Sequence, residues 1–131
     1  MIVIHDNEYT IGRMTAMEQF KVARKLGPAL PVLEGIIADR NSGKDTTVLA
    51  ILMMSKLSDV DAQIVTEACL AAVTRKQGDI QAKVMVSGNM MFQDIDVTAI
   101  IQLVTAVIHE NLGDFFRSAL ANLHDPGAAR V

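Results

Sequence analysis

The sequence has one cysteine, Cys69, no tryptophan, three prolines and few aromatic residues, 4% of the total. A single thiol excludes an internal disulfide and fits a reducing compartment. Cys69 lies inside an apolar helical pattern, where it reads as an inert core thiol and not as a nucleophile. Positive charge is also scarce: 12 Lys+Arg stand against 15 Asp+Glu, a net −3, and no basic run exceeds two neighbours such as Arg24-Lys25 or Arg75-Lys76. Nucleic acid is therefore not an expected partner, because affinity for phosphate comes from clustered positive charge. The longest unbroken apolar run, Val48 to Met54, falls far short of the ~20 residues that cross a bilayer, so no membrane span is expected. The amino terminus, MIVIHDNEYT, has no basic region ahead of its short apolar stretch, and no targeting segment is read there.

What the chain does have is aliphatic residues. Half of its 131 residues are hydrophobic, including eight Met. That is enough to bury one core without disulfides or metal, and one domain over residues 1–131 is expected. The predicted fold class is mainly α (α+β): a compact bundle of four to six helices with one or two small β-hairpins.

The local signals run as follows. Ile2 to His5 and Tyr9 to Ile11 are β-prone runs around Asp6-Asn7, a hairpin pattern. Thr15-Ala16-Met17-Glu18 matches a capping box and opens a helix whose apolar positions are Met17, Phe20, Ala23 and Leu26. Gly27-Pro28 closes it, and Pro31 opens a short helix carrying Leu33, Ile36 and Ile37. Residues 39–45, DRNSGKD, read as a polar loop. Thr46 or Thr47 caps a third helix with Leu49, Leu52 and Met53 inward. Ser58 restarts the chain as a fourth, with Val60, Ile64, Ala68 and Ala71 buried and Arg75, Lys76 and Gly78 as its carboxy-terminal signals. Lys83 to Val86 and Met90 to Phe92 flank Ser87-Gly88-Asn89 as a second hairpin. Asp94 or Asp96 caps the longest helix, whose polar residues Thr98, Gln102, Thr105 and His109 form one narrow stripe. So little polar face makes it either the central helix or part of a surface shared with another chain. Gly113 is expected to break it, with Phe115, Phe116, Ala119, Leu120 and Leu123 lining a last helix.

No reaction can be assigned. His5, His109 and His124 fall in three separate elements without metal-ligand spacing, so no metal is expected. His109-Glu110 begins like a metalloprotease helix, but Gly113 stands where the second His is required. Ser42-Gly43-Lys44-Asp45 keeps only the Gly-Lys pair of a phosphate loop, and Asp45 would repel phosphate. Asp94 and Asp96 read as helix caps. No cofactor is expected.

Two clusters of large apolar residues are the candidate protein-binding positions: Met90, Met91 and Phe92 on the hairpin, and Leu112, Phe115 and Phe116 at the helix junction. Contiguous apolar surface marks contact sites, and thioethers adapt to varied partners; the alternative is that the same side chains complete the core, or are core in one state and interface in another. Ile100, Ile101, Val104 and Ile108 are the candidates for core or self-association.

Tyr9-Thr10-Ile11-Gly12-Arg13-Met14 leading into Met17 to Leu26, with Pro28 and Pro31 after it, resembles the tail assembly chaperones of long-tailed bacteriophages. The run Asn111-Leu112-Gly113-Asp114-Phe115-Phe116 resembles the carboxy-terminal part of the same family. The resemblance implies a small, mainly helical, non-enzymatic protein that coats the tape measure protein in the host bacterial cytoplasm, self-associates, and yields to tail tube subunits, so that it is not expected in the mature virion. Many members also make a longer form by ribosomal frameshifting. A virion structural or connector protein, a small helical adaptor and a small helical enzyme are the competing readings. The enzyme requires a concave pocket with convergent polar groups.

Overall fold

A computed structural model describes residues 1–32 and 47–124. The expected helix over Leu33, Ile36 and Ile37, the 39–45 loop with its Gly-Lys pair, and the 125–131 tail lie outside the described residues.

The chain opens with strands β1 (Ile2–Ile4) and β2 (Asn7–Ile11). Their turn is His5-Asp6, one residue earlier than the sequence suggested. Both have positive φ, 49° and 66°, which matches the right-handed twist of the strands it joins. Helix α1 (Ala16–Lys25) follows, with the Thr15 hydroxyl accepting from the Glu18 amide at 3.2 Å, one half of the expected capping box, while the Glu18 carboxylate pairs with Lys21. A 3-10 turn at Gly27–Ala29 ends it. Helix α2 (Thr47–Ser55) and helix α3 (Asp59–Ala71) come next, the latter capped by Ser58, whose hydroxyl accepts from the Asp61 amide at 3.1 Å. Strands β3 (Val73–Gln77), β4 (Ile80–Lys83), β5 (Met85–Val86) and β6 (Asn89–Met90) precede the long helix α4 (Val97–His124).

A bundle of helices with one or two small hairpins is therefore not what forms. The described residues contain a four-stranded antiparallel sheet in the order β1-β2-β3-β4 and a separate two-stranded β5-β6 sheet, with the helices packed against them. The error lies at residues 73–83. Arg75, Lys76 and Gly78 read as the end of a helix, yet α3 stops at Ala71 and Val73 pairs with Ile11, Thr74 with Thr10 and Arg75 with Tyr9. Gly78, at φ 61°, instead makes the two-residue β3–β4 turn, which needs a positive φ at its first central position. Ser87-Gly88, at φ 52° and 80°, turns β5 into β6, so the expected second hairpin forms but is shorter, with Asn89 in the strand and Lys83 in β4.

The core lies between the sheet and the helices. Tyr9, Val22, Leu26, Val65, Leu70 and Leu103 are among its fully buried members. α4 is its central helix, burying Ala99, Leu103, Val107 and, a few residues around the helix, Val104, Ile108, Leu112 and Phe116. Three expected stripes are displaced. In α1 the buried residue is Val22, and Leu26 at its carboxy-terminal cap is buried as expected, while Met17 and Phe20 are 75% and 62% exposed. In α3 Val65, Cys69 and Leu70 are buried and Val60 is exposed. In α2 Met53 is buried and Leu52 exposed; the Leu49 side chain lies outside the described residues. Each helix carries more than one apolar stripe, and periodicity alone does not say which one the core takes.

Gly113 does not break α4. Buried Leu112 and Phe116 anchor the helix on either side of it, and Asp114 does not start a new helix but pairs with Arg117 one turn on. A methyl group at position 113 would meet only Arg117 Nη2, at an ordinary 3.7 Å. Gly113→Ala is expected to stabilise the fold by ~0.5–1 kcal/mol, the helix-propensity difference, read as a raised midpoint in thermal or urea unfolding.

Candidate protein-binding site

The segment that joins β2 to α1 is fixed at both sides. The Gly12 amide donates to the Ala72 carbonyl at 2.7 Å, an approach so close that a Cβ at position 12 would sit 2.7 Å from that same oxygen. Asn111 on α4 holds the rest: its Oδ1 accepts from the Met14 amide at 2.7 Å, and its Nδ2 donates to the carbonyls of Gly12 and Val107, each at 3.1 Å. Residues almost a hundred positions apart are thereby stapled together, and α1 is held along the carboxy-terminal half of α4.

Between those two helices runs an apolar groove of about 200 Å³, lined by Ala16, Gln19, Phe20, Ala23, Leu112 and Phe115. The α1 residues fall at i, i+3, i+4 and i+7 and the α4 pair at i and i+3, so each helix presents one continuous stripe to it. Phe115 is 58% exposed, whereas its neighbour Phe116 is buried, with the two rings edge to face at 5.2 Å between centroids. Arg24 lies over the Phe20 ring at 6.0 Å. The groove is an open, apolar cleft between two aromatic side chains, with no acid or base in its lining.

The candidate residues therefore separate. Leu112 and Phe115 line the groove, Phe116 is core, and Phe20, read from sequence as core, is part of the site. Met90, Met91 and Phe92 are not in this lining. Phe92 is half-buried with the Arg75 guanidinium 4.4 Å from its ring centre, Met90 packs against the core, and Met91 is exposed. Ile100, Ile101 and Val104 line a second apolar groove, with Ala50, Ile51 and Met54 of α2, and Ile108 is core.

Asp94 and Asp96 have structural partners. Asp96 caps α4, its Oδ1 accepting from the Ala99 amide at 2.9 Å, and its other oxygen lies 3.3 Å from His5. Asp94 instead takes a bidentate pair of bonds from Arg75, at 2.8 and 3.0 Å. Arg75 is the residue sequence reasoning missed. Once residues 73–77 are a strand, it alternates with Val73 on the core face, and its buried charge is answered by Asp94 and by the faces of Phe92 and Tyr9. The hydrogen bonds from Arg75 hold the Asp94 carboxyl below the usual carboxylate range. Asp94 therefore adds stability at pH values above the ordinary carboxylate pKa, and loses it as pH falls through its own lowered value. Asp94→Asn is expected to be less stable than the parent at neutral pH and to converge with it in acid, measured as unfolding midpoints against pH. Burial pushes the Cys69 thiol up to about 12, so it stays protonated and inert near neutrality.

Among the described residues no group of three or more His, Cys, Asp or Glu converges as a metal site, and no helix is long and apolar enough to cross a membrane. A family model described as phage tail assembly chaperone protein, TAC, matches residues 5–123. The chain belongs to this family. Neither the curated proteins nor the solved structures gave a match. The matched range takes in both walls of the chaperone's groove, α1 and the part of α4 that carries Leu112 and Phe115. The two stretches that resembled the family in sequence, 9–26 and 111–116, are the ones Asn111 binds together.

Proposed function

We propose that this tail assembly chaperone binds the tape measure protein, keeps it soluble in the host bacterial cytoplasm, and releases it as tail tube subunits assemble. The observation that carries the reading is the α1–α4 groove, an open apolar cleft between Phe20 and Phe115 with nothing in its lining to support a reaction. An amphipathic client helix seats its apolar side chains in a groove of this kind. A short, shallow contact binds weakly, and weak contacts repeated along a long client by self-associated copies give avidity without permanent capture. The role is one of binding and not catalysis.

Co-expression with the tape measure protein of the same phage tests it. The client is expected to move from the insoluble to the soluble fraction when the chaperone is present, and the chaperone is expected to be missing from finished particles. An unchanged soluble fraction contradicts the reading, and retention in the particle favours a structural component of the virion.

A further inference from the structure

The sheet ends in an open edge. β4 lies at one end of the order β1-β2-β3-β4, and its first residue, Ile80, is 64% exposed. Such edges are normally blunted by proline, bulges or unanswered charge, because free N–H and C=O groups recruit another strand. β4, IQAK, has no proline and one charge, Lys83.

The ladder fixes which groups are free. The Val84 amide donates to the Val73 carbonyl at 3.2 Å, and Thr74 lies opposite Lys83. Hydrogen-bonded pairs alternate along an antiparallel ladder, so Arg75–Ala82 and Gln77–Ile80 are the bonded pairs within the sheet. The backbone groups of Gln81 and Lys83 therefore point outward. Two copies of β4 laid antiparallel about Gln81 would bond through those outward groups at Gln81, with Lys83 set across from Asp79 of the partner's β3–β4 turn. The same register sets Ile80 beside Ala82, and Asp79 opposite Lys83 at both ends. Neither Asp79 nor Lys83 has an ion-pair partner among the described residues.

We propose that β4 is a self-association edge, and that two copies of this chain pair through it about a twofold axis into one continuous sheet. The occupant is a second copy because the edge complements itself: the backbone parity, the apolar pair and the two opposite-charge pairs all fall in a single register, as an isologous contact requires. A contact this short makes a reversible, concentration-dependent dimer. The inference concerns the self-association in the reading above and not client binding. A chain that stays monomeric yet solubilises the tape measure protein would overturn the dimer and leave that reading standing.

Sedimentation velocity of the full chain across a wide concentration range tests it. The parent is expected to shift from one to two chain masses. Gln81→Pro removes an outward amide and leaves the internal ladder intact, so it is expected to weaken dimerisation at least tenfold with an unchanged circular dichroism spectrum. Lys83→Asp is expected to do the same by opposing Asp79, and the double variant Asp79→Lys/Lys83→Asp to restore the dimer. A parent that is monomeric throughout overturns the proposal, as does a dimer that survives Gln81→Pro, or a charge swap that fails to restore pairing in a folded chain.

Discussion

Replacing Phe20 and Phe115 together by serine is expected to return the tape measure protein to the insoluble fraction while leaving the chaperone folded. Both rings are mostly exposed, so their removal takes little from the core, and stability should stay within about 1 kcal/mol of the parent. The loss to binding is larger, because both aromatic walls of the α1–α4 groove go at once and aromatic anchors dominate contacts of this type. Phe116→Ser is the control that separates contact from fold. That ring is buried, and its truncation is expected to cost about 3–5 kcal/mol, lowering the unfolding midpoint and the yield of folded chain. Loss of client rescue with a normal melting curve in the first variant, and a depressed curve in the second, is the expected pair of results.

Asn111→Leu is expected to be strongly destabilising. The asparagine satisfies the Met14 amide and the carbonyls of Gly12 and Val107, and leucine of similar size can satisfy none of them. Met14 is buried, so its amide would be left without a partner and largely without water. The expected cost is about 2–3 kcal/mol, the penalty for an orphaned buried donor together with the lost acceptor bonds. Equilibrium urea unfolding measures it. Because Asn111 also holds α1 beside α4, the variant should lose client rescue even at temperatures where it remains folded, a result that a purely local defect would not give.

Much of the chain was legible where one residue determines the local geometry. Thr15 and Ser58 cap the helices they were expected to cap, and of the two acids offered for the long helix Asp96 is the cap, because a side-chain oxygen before a helix meets the same free amides whatever the tertiary fold. The β1–β2 and β5–β6 hairpins were read from sequence, each with its turn placed within one residue of where it forms. The β3–β4 hairpin was not, because Thr74-Arg75-Lys76-Gln77 carries polar residues that also suit a helix end, and only the pairing with Tyr9 and Thr10 makes it a strand. The site was half legible. Phe115 and Leu112 stood out as a large apolar pair, but Phe20 looked like core. Which side of α1 faces solvent depends on how Asn111 and Gly12 dock the helix, and that contact is nearly a hundred residues away in sequence.

The α1–α4 groove as the client's seat is tested most directly by placing a photo-activated phenylalanine analogue at position 115 and irradiating the co-expressed complex. A covalent adduct between the chaperone and the tape measure protein is the result the groove requires, with none from the same analogue at Lys76 on the outer face of the sheet. Client that remains soluble but is captured from position 76 and not from 115 would contradict it.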